Sequence, residues 1–245
     1  MRVVLHALRL LAVATVVLLA LVVVRRFRER PPSTQDVARE QSYGGEVNAD
    51  SIRAVRVAIL RHVAGPDSYI PAMLIESDSL LRRWPESEHP LRVYLMPGRV
   101  PGYRDELRDA GRAAFVRWEQ VGGIPVHFTF VTDSANADVL VRWIDRFAMR
   151  RAGQADIRWN GAGWIASATL TLATHTSDGL LLDTDAVYTV ALHEIGHLLG
   201  LGHSDDPQDV MYPTTSVHDI TSRDRNTARL LYSVPPGSLR LGVAQ

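Results

Sequence analysis

Two histidines, His193 and His197, lie four residues apart in a stretch whose apolar spacing predicts a helix. Positions i and i+4 of a helix lie on one face, so both imidazoles can point at a single metal ion. Glu194 follows the first histidine, about 100° round the helix, where it can reach a metal-bound water without being a ligand. Two imidazoles and a neighbouring carboxylate in this order can bind Zn²⁺ and place a general base beside it.

A third nitrogen ligand is offered by the residues that follow the predicted helix. Gly200 falls where a helix needs a left-handed residue to end, and the chain reversal that it permits can bring back His203. Three neutral imidazoles leave the fourth tetrahedral position of Zn²⁺ open to water, which is typical of a catalytic and not of a structural site. We therefore predict one catalytic Zn²⁺ bound by His193, His197 and His203, with Glu194 as general base.

Composition excludes several other kinds of chemistry. The chain of 245 residues is 46% hydrophobic, which is typical of a globular protein, and it has a formal net charge of zero. A balanced charge gives no electrostatic case for binding nucleic acid. Cysteine is absent, which excludes disulfides, thiolate zinc ligands, a cysteine nucleophile and any thiol that could block the zinc.

The first 30 residues predict a membrane anchor. Residues 3–24 are apolar except for His6 and Arg9, and about 20 such residues span a bilayer. A cleaved secretory signal is the alternative, although no small-x-small cleavage site follows the run. Residues 31–82 then form a polar linker and an N-terminal extension that is either a prosegment or a simple addition, with a predicted helix at 51–62.

Regular patterns begin at Arg83. Alternating or helical spacing predicts strands at 91–96, 126–131, 137–143 and 166–174, helices at 103–119 and 222–232, and a long loop at 144–165. The helix between the first two strands implies a parallel crossover. Asp183 is expected to cap the helix that carries the histidines, and Thr221 with Asp224 to form a capping box at the last helix.

The segment from His193 to Pro213 resembles the metzincin peptidases and, among them, the matrixins. Ser204 after the third histidine and the run Met211-Tyr212-Pro213 carry the resemblance to matrixins. It implies an α+β metzincin domain at 83–234, followed by a C-terminal tail at 235–245. The implied fold is a twisted, mostly parallel five-stranded sheet with an antiparallel edge strand, three main helices and an active-site cleft.

The resemblance also implies a zinc endopeptidase that acts on polypeptides. Met211 would form the apolar floor beneath the metal, and the strand at 166–174 would be the edge along which a peptide pairs. Substrate contacts would then come from Thr169, Leu170, Thr171 and Pro213. Animal matrixins carry a second, structural zinc bound by several histidines. Between Arg142 and Leu192 this sequence has one histidine, His175, so a structural zinc is not expected. Whether calcium binds is left open.

The resemblance and the charge pattern give opposite topologies. The family implies a catalytic domain outside the cytoplasm, tethered by the N-terminal helix, or a secreted one if that segment is cleaved. Arginines are more numerous after the apolar run than before it, so the positive-inside rule would place the domain in the cytoplasm. A reporter active only in the periplasm, fused to the C-terminus, distinguishes the two.

Two other functions remain open from the residues. The chain could be a catalytically silent interaction domain that keeps zinc as a structural element, although such a site would not need Glu194. It could also be a metal hydrolase of non-peptide amide bonds. Oligomeric state and cleavage preference are not predicted.

Overall fold

The computed structural model describes residues 49–65 and 67–240 of the chain. In this part the helices are α1 (Ala49–Val63), α2 (Ile70–Glu76), α3 (Asp105–Val121), α4 (Thr184–Leu198) and α5 (Ser222–Ser233). The strands are β1 (Leu80–Leu81), β2 (Leu91–Leu95), β3 (Phe128–Val131), β4 (Val139–Ile144), β5 (Gly153–Trp159), β6 (Ile165–Ala173) and β7 (Gly237–Ser238). From Arg53 onward these elements belong to one compact unit.

The main sheet has five strands in the order β3-β2-β4-β6-β5. Strands β2, β3, β4 and β6 are parallel, whereas β5 pairs with β6 in the antiparallel sense. The parallel pairing of β2 with β3 across α3 confirms the predicted crossover, and the mixed sheet confirms the predicted fold class. Strands β1 and β7 form a separate two-stranded antiparallel pair.

The edge strand is not the one that the sequence indicated. The predicted loop at 144–165 contains β5, so β6 lies inside the sheet between β4 and β5. Thr169, Leu170 and Thr171 are paired with β4 on one side and with β5 on the other, and Leu170 and Thr171 are buried. Their backbone groups belong to the sheet ladders, so the prediction that these three residues line a free edge was wrong.

Helices α3 and α4 form the layer beneath the sheet. The buried residues of α3 recur at three- and four-residue spacings, which places Leu107, Phe115 and Trp118 on one face. The indole N–H of Trp118 donates to the carbonyl of Leu192 in α4 at 2.8 Å. Trp118 thus joins α3 to α4 by a hydrogen bond as well as by apolar packing. This packing fixes α4 within the core.

Both ends of α4 are set by side chains. The carboxylate of Asp183 accepts the N–H of Ala186 at 2.8 Å, which confirms the predicted N-terminal cap. At the other end the indole of Trp84 donates to the carbonyl of Leu198 at 2.8 Å, and the hydroxyl of Tyr232 donates to that of Leu199 at 3.0 Å. These bonds satisfy carbonyls that a helix end leaves unpaired.

The residues just before the predicted domain are part of its core. Tyr69, Ile70, Met73 and Leu74 are between 0% and 8% exposed, so α2 is packed into the protein and is not a loosely attached segment. Helix α1 is mostly exposed, with Val63 buried at its end. The predicted helix at 51–62 is thereby confirmed as a helix.

The predicted membrane anchor lies outside the described residues and stays a prediction, as does the location of the domain. Among residues 49–65 and 67–240, no helix has the length and apolar character needed to cross a bilayer.

Replacement of Gly200 by Ala should destabilise the end of α4. Gly200 has φ of 98°, and a Cβ there would overlap the backbone carbonyl of Arg82. We expect the free energy of unfolding of the metal-free protein to fall by about 1 to 3 kcal/mol or more, measured by urea denaturation.

Gly161→Ala is the matched control, because a Cβ at Gly161 meets no atom within 4 Å. Its effect should stay within about 0.5 kcal/mol. Equal losses in the two variants would contradict the strained turn at Gly200.

Candidate metal centre

Three histidines converge at the C-terminal end of α4. His193 and His197 come from the helix and His203 from the loop that follows, and their ligand nitrogens lie within 4.8 Å of one another. Within the described part of the chain this is the one cluster of three or more His, Cys or acidic residues able to hold a metal. The reversal after Gly200 has the predicted left-handed conformation.

The ring orientation of the two helical histidines is fixed by backbone carbonyls. Nδ1 of His193 is 2.8 Å from the carbonyl oxygen of Val210, and Nδ1 of His197 is 2.8 Å from that of Leu201. A carbonyl only accepts hydrogen bonds, so each Nδ1 carries the proton and each Nε2 keeps its lone pair. The metal-binding tautomer is therefore set by the fold.

The carbonyl that holds His193 is itself held. The N–H of Val210 donates to Oδ2 of Asp224 at 3.0 Å, and Asp224 is fully buried at the start of α5. The same carboxylate accepts from Thr221, which confirms the predicted capping box. One helix cap thus also positions the segment behind the metal centre.

Met211 lies directly beneath the histidine helix. It is fully buried, and its sulfur would overlap any Cβ placed on Gly196, so a glycine is needed there for the close approach. The location agrees with the predicted apolar floor. Its role towards a bound metal stays a prediction.

Burial favours the neutral form of the two helical histidines. Desolvation lowers the pKa of His193, and desolvation together with the nearby His193 lowers the pKa of His197 to about 3. Neutral imidazole is the form that binds a metal.

The donor set fits Zn²⁺. Two Nε2 lone pairs, of His193 and His197, face each other at 3.1 Å, an arrangement that repels unless a cation lies against both. Nitrogen ligands at about 2.0 to 2.1 Å from a tetrahedral zinc are themselves about 3.3 Å apart. His193 and His197 therefore have the spacing of two zinc ligands, and His203 offers a third imidazole within 4.8 Å.

The side chain of Glu194 extends from α4 towards the edge strand β5. Its carboxylate accepts the backbone N–H of Ala155, and a Cβ on Gly153 would lie 2.6 Å from its Cγ. Desolvation raises the pKa of Glu194 to about 7, and the bond from Ala155 and the charge of Arg151 oppose the shift. The carboxyl group is therefore able to take up and release a proton near neutral pH.

A pocket of about 140 Å³ opens beside the carboxylate. Glu194 and His193 border it, as do the predicted contact Pro213 and two arginines, Arg150 and Arg151. The other predicted substrate contacts, Thr169 to Thr171, are not among the residues that line it. Pro213 stays a predicted contact. The edge strand beside Glu194 is β5 and not β6.

Two contributions to the site were missed by sequence reasoning. The first is β5, whose Gly153 and Ala155 contact Glu194. Its residues Gln154 to Trp159 alternate between polar and apolar, a strand signal that the surrounding Arg and Gly residues outweighed. The second is Glu76, whose carboxylate contacts His203. Its distance of 127 residues along the chain left no local signal.

Two histidines and a carboxylate on a helix beneath a sheet edge, with a third histidine from the loop that follows, form a site able to hold one metal ion. The family described as Matrixin matches residues 84–233 of the chain. Because this match covers more than half of the 245 residues, the chain belongs to the matrixin family. This confirms the resemblance seen in the sequence.

Named relatives agree with this assignment. Metalloendoproteinase 1 of Glycine max is 29% identical over 179 residues, which are 63% of this chain and 54% of that protein. Metalloendoproteinase 1-MMP of Arabidopsis thaliana is 31% identical over 150 residues, 56% of this chain and 40% of that protein. Matrilysin of Homo sapiens is 55% identical over 38 residues, 16% of this chain and 14% of that protein. The chain thus spans about half, or less, of the length of these relatives.

His197→Ala should abolish stoichiometric zinc binding, because the remaining nitrogens offer only two strong ligands. We expect metal analysis after dialysis to give about one zinc per chain for the wild type and well below that for the variant. His127→Ala is the control, since His127 is exposed and bonded to Glu119. Full zinc content in His197→Ala would contradict the ligand assignment.

Acidification should act on the metal-free protein through two opposing sets of groups. In the folded protein His193 and His197 have lowered pKa values, so the unfolded chain binds more protons below about pH 6.5. These two groups therefore reduce stability as the pH falls. Glu194 has a raised pKa, so between about 7 and 4.5 the folded protein binds the extra proton and this group adds stability as the pH falls.

Glu194→Gln removes the opposing group. We expect the stability of the metal-free variant to fall more steeply from about pH 6.5 to 5 than that of the wild type, by at most about 1.4 kcal/mol per pH unit. Urea denaturation of both proteins across this range measures the difference. Parallel curves would show that the pKa of Glu194 is not raised.

Proposed function

We propose that this chain is a zinc-dependent endopeptidase. The observation that carries the proposal is the convergence of three histidines beside Glu194, whose carboxylate lies under the edge strand. A purely structural zinc site has four protein ligands and needs no buried carboxyl group beside them. Membership of the matrixin family and the metalloendoproteinases among the relatives support the same activity.

His193, His197 and His203 would hold the ion. Zn²⁺, when bound, polarises the scissile carbonyl and acidifies water. Glu194 takes a proton from the attacking water and later delivers it to the nitrogen of the leaving amine. Because water is the nucleophile, no covalent intermediate forms with the chain.

The edge strand offers a way to orient the substrate. In the described part of the chain β5 pairs with β6 alone. Apart from the N–H of Ala155, which Glu194 accepts, the backbone groups on its other side are available to an extended peptide. Gly153 and Ala155 contact Glu194, so a peptide that adds to this edge passes the carboxylate. The pocket bordered by Pro213 would then receive one side chain next to the scissile bond.

Glu194→Ala should abolish peptide hydrolysis while zinc remains bound, because the carboxylate acts on a proton and is not a ligand. We expect kcat/KM to fall by at least about 10² to 10⁴-fold with zinc content unchanged. Glu88→Ala, which removes an exposed carboxylate, is the control and should keep full activity. Full activity in Glu194→Ala would refute the proposed base.

A peptide library separates this function from the other two that the sequence left open. The purified protein is incubated with the library, with and without a chelator, and products are identified by mass spectrometry. Chelator-sensitive internal cleavage supports the endopeptidase. Zinc binding without cleavage of any peptide would instead leave a silent domain or a hydrolase of other amide bonds.

A further inference from the structure

His203 is oriented differently from the other two histidines. Its Nδ1 is 2.9 Å from Oε1 of Glu76, and its backbone N–H donates to Oε2 of the same carboxylate at 3.1 Å. His193 and His197 bond instead to backbone carbonyls close to the metal centre. A single carboxylate from α2 thus holds both the ring and the backbone of the third histidine.

The rest of α2 keeps this carboxylate in place. Ile70 and Met73 are 0% and 4% exposed, so the helix cannot move away without exposing apolar surface to water. At its start the N–H of Tyr69 donates to Oγ1 of Thr227 at 3.1 Å, and the Tyr69 hydroxyl donates to Oδ1 of Asp224 at 3.1 Å. Asp224 is the residue that also holds the segment behind His193.

The backbone beside His203 fits closely against α2. A Cβ on Gly202 would lie 3.0 Å from Cγ of Met73 and 3.3 Å from Oε2 of Glu76. The glycine therefore allows the His203 loop to approach the helix closely enough for both hydrogen bonds. The Glu76 side chain is half-exposed, so the buried face of α2 fixes its backbone while the carboxylate itself reaches out to His203.

We propose that Glu76 is a positioning residue of the metal centre, holding His203 so that its Nε2 points to the ion bound by His193 and His197. The proposal rests on the zinc site of the proposed function. A carboxylate that accepts from Nδ1–H fixes the tautomer and the ring angle of a metal-binding histidine and makes its Nε2 more basic. Helix α2, which lies in the stretch predicted to be a linker or extension, is then a support of the metal centre.

The test is the affinity for zinc of the full chain, measured by competition with a chelating dye. Glu76→Ala should raise the dissociation constant at least about tenfold. The dissociation constant of Glu76→Gln should lie between those of Glu76→Ala and the wild type, because one amide oxygen replaces two carboxylate oxygens as acceptors. Glu88→Ala, which removes one negative charge from an exposed position, should leave the affinity unchanged.

Two further measurements separate positioning from a merely structural role. The unfolding midpoint of metal-free Glu76→Ala should lie close to that of the wild type, since hydrogen bonds made by a half-exposed carboxylate contribute little net stability. The visible spectrum of the cobalt-substituted variant should differ from that of the wild type, because it reports the geometry of the ligands.

The outcomes are distinct. If wild type and Glu76→Ala bind zinc equally and give the same cobalt spectrum, Glu76 has no positioning role. A metal-free Glu76→Ala that has already lost its fold, with Glu76→Gln binding zinc as the wild type does, also overturns the proposal. A wild type that binds no zinc would overturn the metal centre itself, and with it the proposed function.

Discussion

The hydrogen bond from an imidazole Nδ1–H to a fixed acceptor is the interaction on which this structure depends. It selects the tautomer that leaves Nε2 free, and it sets the angle at which each ring points. In His193 and His197 the acceptors are the carbonyls of Val210 and Leu201, so the site needs two backbone segments to stay in place relative to α4. Much of the surrounding fold meets that requirement.

Each of these segments is held by a different device. Leu201 follows the left-handed turn at Gly200, which reverses the chain at the end of the helix. Val210 is held by the buried carboxylate of Asp224, which is shared with the cap of α5 and with the hydroxyl of Tyr69. The metal ligands are thus positioned by contacts that also begin or end helices, so fold and site share the same residues.

The sequence predicted what local spacing can encode. The pair His193 and His197 at four residues, the turn at Gly200 and the capping box at Thr221 all depend on residues close together in the chain, and the structure has the expected helix, turn and cap. The position of β6 could not be predicted in this way, because being at an edge depends on which strand pairs beside it. Strand β5 does carry a local signal, since Gln154 to Trp159 alternate between polar and apolar residues. That signal lies inside a stretch rich in Arg and Gly, a composition that favours a loop.

Glu76 illustrates a second limit of the same kind. Nothing in the run Met73 to Ser77 identifies one glutamate as a partner of His203, because the contact joins elements 127 residues apart. Its significance appears only when the buried face of α2 and the close approach at Gly202 are seen together. Local sequence patterns thus identify the predicted metal ligands better than the residues that hold those ligands in place.

The bonds from Trp84 and Tyr232 to the last carbonyls of α4 have a consequence for motion. Helix ends are usually the first parts of a protein to fray, opening at little cost in free energy. Here the final turn carries His197, and its carbonyls are bonded to two aromatic side chains that are themselves 3% and 6% exposed. Opening this turn breaks both bonds and leaves two buried donors without partners, so the turn should fray less readily than an ordinary helix end, and a bound ion would be released more slowly.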